Sequence, residues 1–164
     1  MGFNTLVEVV KADDVTSFST LAMYSPGAVH MQSGNEYVYV YNGNASGAIG
    51  TGQYCVLEPL GTSLSSGYTV TVSNASLNGW LVGVAQNTIP TSTYGWVMTK
   101  GVSLVAPDSG AVSAAPGVDL ALGTNGGFVA AAVTFSTAPR FGVTINSFIT
   151  TPGTSKARIF GSIC

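Results

Sequence analysis

Charge is what this sequence has least of. Of its 164 residues, 7% are Asp, Glu, Lys or Arg, where a globular chain usually carries about 25%. A soluble molecule relies on a charged skin to stay apart from its neighbours, so much of this outer surface is expected to be covered by other subunits. The five cations, Lys11, Lys100, Arg140, Lys156 and Arg158, are scattered. Nucleic-acid binding draws on clustered Lys and Arg to neutralise phosphates, so no nucleic-acid partner is expected. No apolar run approaches the roughly 20 residues of a membrane-spanning helix, and no membrane partner is expected either. Residues 1–14 lack the basic start, long apolar stretch and small-residue cleavage site of a secretory signal. Synthesis in a cytoplasm is therefore expected.

Cysteine and histidine are almost as scarce, with two and one. Cys55 and Cys164 form no CxxC or metal spacing and read as free thiols. A zinc site takes three or four His, Cys or carboxylate ligands, which this set does not supply. A nucleophilic triad needs a base beside its nucleophile. The sole histidine, His30, stands between apolar residues, and no Gly-x-Ser-x-Gly occurs. Asp13 and Asp14 are adjacent, so as strand residues they point to opposite faces and do not make the carboxylate pair of a glycosidase. The glycine-rich stretches 47–52 and 123–127 lack the Lys-Ser/Thr of a phosphate loop and read as tight turns. The expectation is a protein that is not an enzyme and takes no cofactor.

What the sequence does contain is short strand-like runs. Glu36 to Tyr41 alternates strictly and ends at Asn42-Gly43, a turn signal, and Tyr68 to Val72 alternates as well. Further candidate strands are 81–85, 95–99, 102–105, 128–133, 141–145 and 156–160. Nothing shows a capped 3.6-residue period; the best helix candidate is a short one over residues 15–23, capped by Asp13-Asp14. The fold class is all-β, a small β-barrel or β-sandwich.

Self-similarity supports a repeat. Gly47-Ala48-Ile49 returns as Gly110-Ala111-Val112, Leu60-Gly61-Thr62 as Leu122-Gly123-Thr124, Gly67-Tyr68 as Gly127-Phe128, and Gly83-Val84 as Gly142-Val143. The matches keep their order while the offset drifts slowly. Residues 36–164 thus read as one β-domain of two degenerate modules, about 47–101 and 110–164, joined by Val102 to Ser109. Each is too small to bury both faces of its own sheet, and two stacked modules can share a core. Residues 1–35 hold the only histidine and no repeat. They are either an arm reaching to a neighbour or strands added to the barrel.

The large apolar and aromatic residues are the candidates for assembly: Phe3, Leu6, Phe18 and Tyr24 in residues 1–35, the row Tyr37, Tyr39, Tyr41, and Trp80 and Trp96. Trp and Tyr are frequent interface anchors. The same residues also serve as core packing or a cross-strand ladder.

The run Tyr39-Val40-Tyr41-Asn42-Gly43, then Ala48-Ile49-Gly50-Thr51-Gly52-Gln53, Gly83-Val84-Ala85-Gln86-Asn87-Thr88-Ile89-Pro90 and Tyr94-Gly95-Trp96-Val97 resembles the capsid decoration, or cement, proteins of tailed phages. Gly142-Val143 and Ala157-Arg158-Ile159 resemble a second pass of that pattern. The resemblance covers about residues 36–164. It implies a β-domain, usually a homotrimer, seated on the outside of the virion, bridging major capsid protein subunits and stabilising the shell. The alternative is a trimeric phage receptor-binding or fibre-knob domain, which would carry an aromatic-lined groove and an upstream shaft.

Overall fold

The computed structural model describes residues 15–45, 47–57, 68–72, 81–108, 115–123, 126–130, 142–144 and 155–160. Every regular element among them is a strand: β1 (Phe18–Ser19), β2 (Val29–Gln32), β3 (Asn35–Asn42), β4 (Tyr54–Leu57), β5 (Thr69–Thr71), β6 (Leu81–Ala85), β7 (Tyr94–Val105), β8 (Asp119–Leu122), β9 (Phe128–Ala130), β10 (Gly142–Thr144) and β11 (Ser155–Phe160). The all-β expectation holds. The helix expected over residues 15–23 does not form. Its Thr16, Ser17, Ser19 and Thr20 disfavour a helix interior, and Phe18 pairs with Gly95 of β7 instead.

Strands β3 to β7 close a ring. β3 runs parallel to β5, β5 antiparallel to β4, β4 to β6, β6 to β7, and β7 back to β3. β7 then continues past this ring as the first strand of another: it pairs with β11, β11 with β10, β10 with β8, and β8 with β9. Phe128 of β9 returns to Pro107, just beyond β7, in a parallel bridge. The order of partners is the same in both groups. Cys55 faces Gly83 as Leu120 faces Gly142, and Tyr37 faces Met98 as Val102 faces Arg158. Equivalent residues stand 65 apart in the first two strands (Cys55 to Leu120) and 59 apart at Gly83 to Gly142. Val102 to Val105 are therefore not a joint between modules. They are strand residues of a segment both rings share.

Three apolar clusters follow from strand alternation, broken once on β6 by the register shift against β4 that puts Val82 on the same side as Ala85. All five strands of the first ring send residues into one of them: Val38 and Val40, Cys55, Val70, Val82 and Ala85, and Val97. That cluster is the ring's interior. The opposite faces of β4 and β6 give Tyr54, Val56 and Val84 to a second cluster with Val105, Leu120, Phe128, Ala157 and Ile159 of the second group. The opposite faces of β3 and β7 give Tyr37, Tyr39, Trp96 and Met98 to a third, with Val15. The first ring is thus buried inside and on two outer flanks. Gly83 is required where β6 crosses close to β7, since a Cβ there would stand 2.5 Å from the Met98 carbonyl oxygen.

Candidate interaction surface

The third cluster decides what the aromatic residues do. Tyr24 meets Tyr39 edge-on at 5.3 Å and Trp96 at 5.4 Å. The His30 ring lies 5.8 Å from Trp96 and 6.5 Å from Tyr37. The backbone N–H of Met23 donates to the Tyr39 hydroxyl at 3.2 Å, and burial pushes the Tyr39 phenol above its ordinary range. The chain's own segment from Val15 to His30 covers this face. Tyr37, Tyr39 and Trp96 are consequently buried, which is the core-packing alternative for these residues rather than display for assembly. A strand buried on both faces alternates just as a half-wet strand does, and here the aromatic side is the one roofed by residues 15–30.

Of the remaining candidates, Tyr41 is half-buried against Tyr94, ring centres 4.9 Å apart. Tyr24 is half-buried as part of the roof, and Phe18 is exposed. Phe3, Leu6 and Trp80 lie outside the described residues. In place of the tyrosine row, the roof presents apolar side chains of its own outward. Five of the seven large apolar residues exposed among the described ones fall between Phe18 and Met31: Phe18, Leu21, Met23, Val29 and Met31. Their exposure runs from 39% at Val29 to 75% at Leu21. Leu21, Met23, Val29 and Met31 were not singled out in the sequence. The signal that could have found them is that Val15 to Asn35 contains no Asp, Glu, Lys or Arg.

This stretch also carries the sheet's open edge. Among the described residues, β3 to β11 each have a neighbour on either side once the Pro107–Phe128 bridge is included, whereas β2 pairs with β3 alone and β1 with β7 alone. The β2–β3 connection is a two-residue loop in which Ser33 and Gly34 both have positive φ, 52° and 80°, as a type I′ hairpin demands. The hairpin fixes the register: Val29 faces Val38, His30 faces Tyr37, Met31 faces Glu36. His30 points inward and is buried; Val29 and Met31 point out.

No group of three or more His, Cys, Asp or Glu that could hold a metal is present among the described residues. The buried thiol of Cys55 is pushed up to about 12 by desolvation, so at neutral pH it stays protonated and is a poor nucleophile. What this surface offers is apolar area and main chain that has no partner among the described residues. Main-chain groups on an open edge bind extended strands, and the side chains beside them set selectivity. No family model, curated protein or solved structure matches the chain.

Proposed function

We propose that this chain is a non-catalytic β-module that works by attachment, through a sheet edge rather than a chemical site. More particularly, it is read as a capsid decoration protein of a tailed phage. In that reading it sits on the outside of the virion in multiple copies and bridges major capsid protein subunits, with no cofactor. One observation carries the proposal: the open edge at β1 and β2 coincides with the uncharged segment that holds most of the exposed apolar residues described. Natural β-proteins blunt such an edge by keeping it short or with Lys, Pro or a bulge. This edge is short, two residues in β1 and four in β2, but it carries no charge, and monomers seldom leave apolar residues concentrated in view. Such an edge is suited to being covered. The low overall charge supports the same reading, as does the resemblance to decoration proteins read from the sequence of residues 36–164. A shell clamp suits this make-up, because many weak identical contacts add through repetition.

The test is to titrate the protein onto undecorated phage heads and onto host cells. Saturation of heads at a fixed number of copies, with a rise in the temperature at which the heads open, is the expected result. Saturable binding to cells and none to heads would replace this reading with the receptor-binding one.

A further inference from the structure

We infer that the free edge of β2 is a twofold contact between two copies of this chain, joined antiparallel about an axis through His30. The hairpin geometry dictates which groups face outward. In a two-residue hairpin the residues flanking the loop, here Gln32 and Asn35, form a hydrogen-bonded pair, and bonded and non-bonded pairs then alternate. His30–Tyr37 is thus bonded, while Val29–Val38 and Met31–Glu36 are not. The next bonded position agrees, since the N–H of Tyr39 donates to the carbonyl of Ala28 at 2.9 Å. The N–H and C=O of Val29 and Met31 therefore point away from β3, to the open side. Val29 and Met31, whose side chains are exposed, are thus also the β2 residues whose main-chain groups have no partner among the described residues.

A second β2 turned about His30 sets Val29 opposite Met31 of the other copy, and Met31 opposite Val29. Each pair exchanges two N–H···O=C bonds, so all outward groups of both strands are matched. Such an interface is isologous, one patch meeting itself. The facing side chains are apolar on apolar, and with no charged residue from Val15 to Asn35 nothing within the segment repels its own copy. A strand of a foreign protein could bond to the same groups, but only a second copy has its register set by the sequence of β2 itself. This contact needs no shell and stands or falls apart from the decoration reading. If the protein also closes into trimers through another surface, the contact joins them in pairs.

The experiment compares the full chain with Met31→Lys and Met31→Pro by sedimentation equilibrium at high micromolar concentration. Both changes fall on an exposed side chain and an N–H that β3 does not use, so the fold is retained, as a circular dichroism melt verifies. The unaltered chain is expected to have twice the mass of either variant. In a Cys164→Ser background, oxidation of Val29→Cys/Met31→Cys is expected to give covalent pairs, since opposed residues of a bonded pair stand at disulfide distance. Val29→Cys and Met31→Cys alone are expected to stay single, because each then lies diagonal to its own copy. Equal masses for all three proteins overturn the inference, as does cross-linking by either single cysteine, which would place the axis elsewhere.

Discussion

Tyr54, a residue of the first ring, donates its hydroxyl hydrogen to the carbonyl of Gly123, which follows β8 of the second. Its ring meets Phe128 edge-on at 5.6 Å, and its own N–H donates to the Gly126 carbonyl. One side chain thus ties the rings together by polar and apolar contacts. Tyr54→Phe keeps the ring and leaves a carbonyl unmatched, a loss of about 1 kcal/mol. Tyr54→Ala also empties the shared cluster and is expected to cost about 3–5 kcal/mol. Urea denaturation checks both, and a Phe variant as damaging as the Ala variant would place the value of Tyr54 in its hydroxyl alone.

Gly83 leaves room for the β7 backbone and for nothing more. With the Met98 carbonyl oxygen 2.5 Å from where a Cβ would sit, Gly83→Ala forces β6 away from β7. The penalty expected for such overpacking is about 1–3 kcal/mol. It is opposed only by the smaller gain from stiffening the unfolded chain. A thermal melt at or above that of the unaltered protein would contradict the close approach.

Asn42 ends β3 and fastens two loops at once. Its side-chain amide donates to the buried Ile89 carbonyl at 2.8 Å and to the Gly47 carbonyl at 3.4 Å, and its oxygen accepts from the N–H of Asn44 at 2.8 Å. Asn42→Ala strands these groups and is expected to cost about 1–3 kcal/mol. Asn42→Asp keeps the acceptor but aims a carboxylate at a carbonyl, and is expected to cost more than Ala near neutral pH. Chemical denaturation of the two variants decides the order.

Strand identity was legible where the sequence alternates or where glycine and turn residues bracket a β-branched run. β3, β5, β6, both halves of β7, β10 and β11 were placed within a residue or two on that basis. β2, β4 and β8 were missed because each carries at most one β-branched residue, whereas the shorter β5 and β10 carry three and two. The helix expected after Asp14 does not form because the Asp13-Asp14 cap signal is followed by Thr16, Ser17, Ser19 and Thr20, which disfavour a helix interior. Which side of a strand is wet could not be read locally. Tyr37 and Tyr39 are roofed by the preceding segment 15–30, whose fold-back over β3 no local pattern announces, and the exposed edge came from that same segment, which had no pattern other than its lack of charge.

Cys55 predicts the alkaline behaviour of the fold. The thiol ionises near 9.0 in an unfolded chain but is held protonated to about 12 when buried. Below pH 9 both states keep the proton and the stability is whole. Between 9 and 12 only the unfolded chain releases it, so stability falls by up to about 1.4 kcal/mol per pH unit, and above 12 the decline levels off. Tyr39, raised for the same reason, acts in the same direction above its ordinary value of 10.0. Cys55→Ala is expected to lower stability at pH 7 by emptying a packed site, yet to show a flatter decline from pH 9 to 11. Parallel declines for the two proteins would mean that the thiol is not the group responsible.

The roof over Trp96 separates residues that cover from residues that display, and the two kinds should answer oppositely to substitution. Tyr24 touches both Tyr39 and Trp96, so Tyr24→Ala opens the aromatic face and is expected to cost on the order of 2 kcal/mol, less than a fully buried ring would. In a chain of this length that lowers the melting temperature by about 4–8 °C. Leu21 stands 75% exposed, and Leu21→Lys is expected to change stability by no more than about 0.5 kcal/mol. If the leucine is instead part of what holds the protein to its partner, the lysine variant will lose attachment while melting normally. A roof that contributed nothing to the fold would give the reverse: Tyr24→Ala would melt like the unaltered protein, and segment 15–30 would have to be regarded as an arm lying on the barrel rather than part of it.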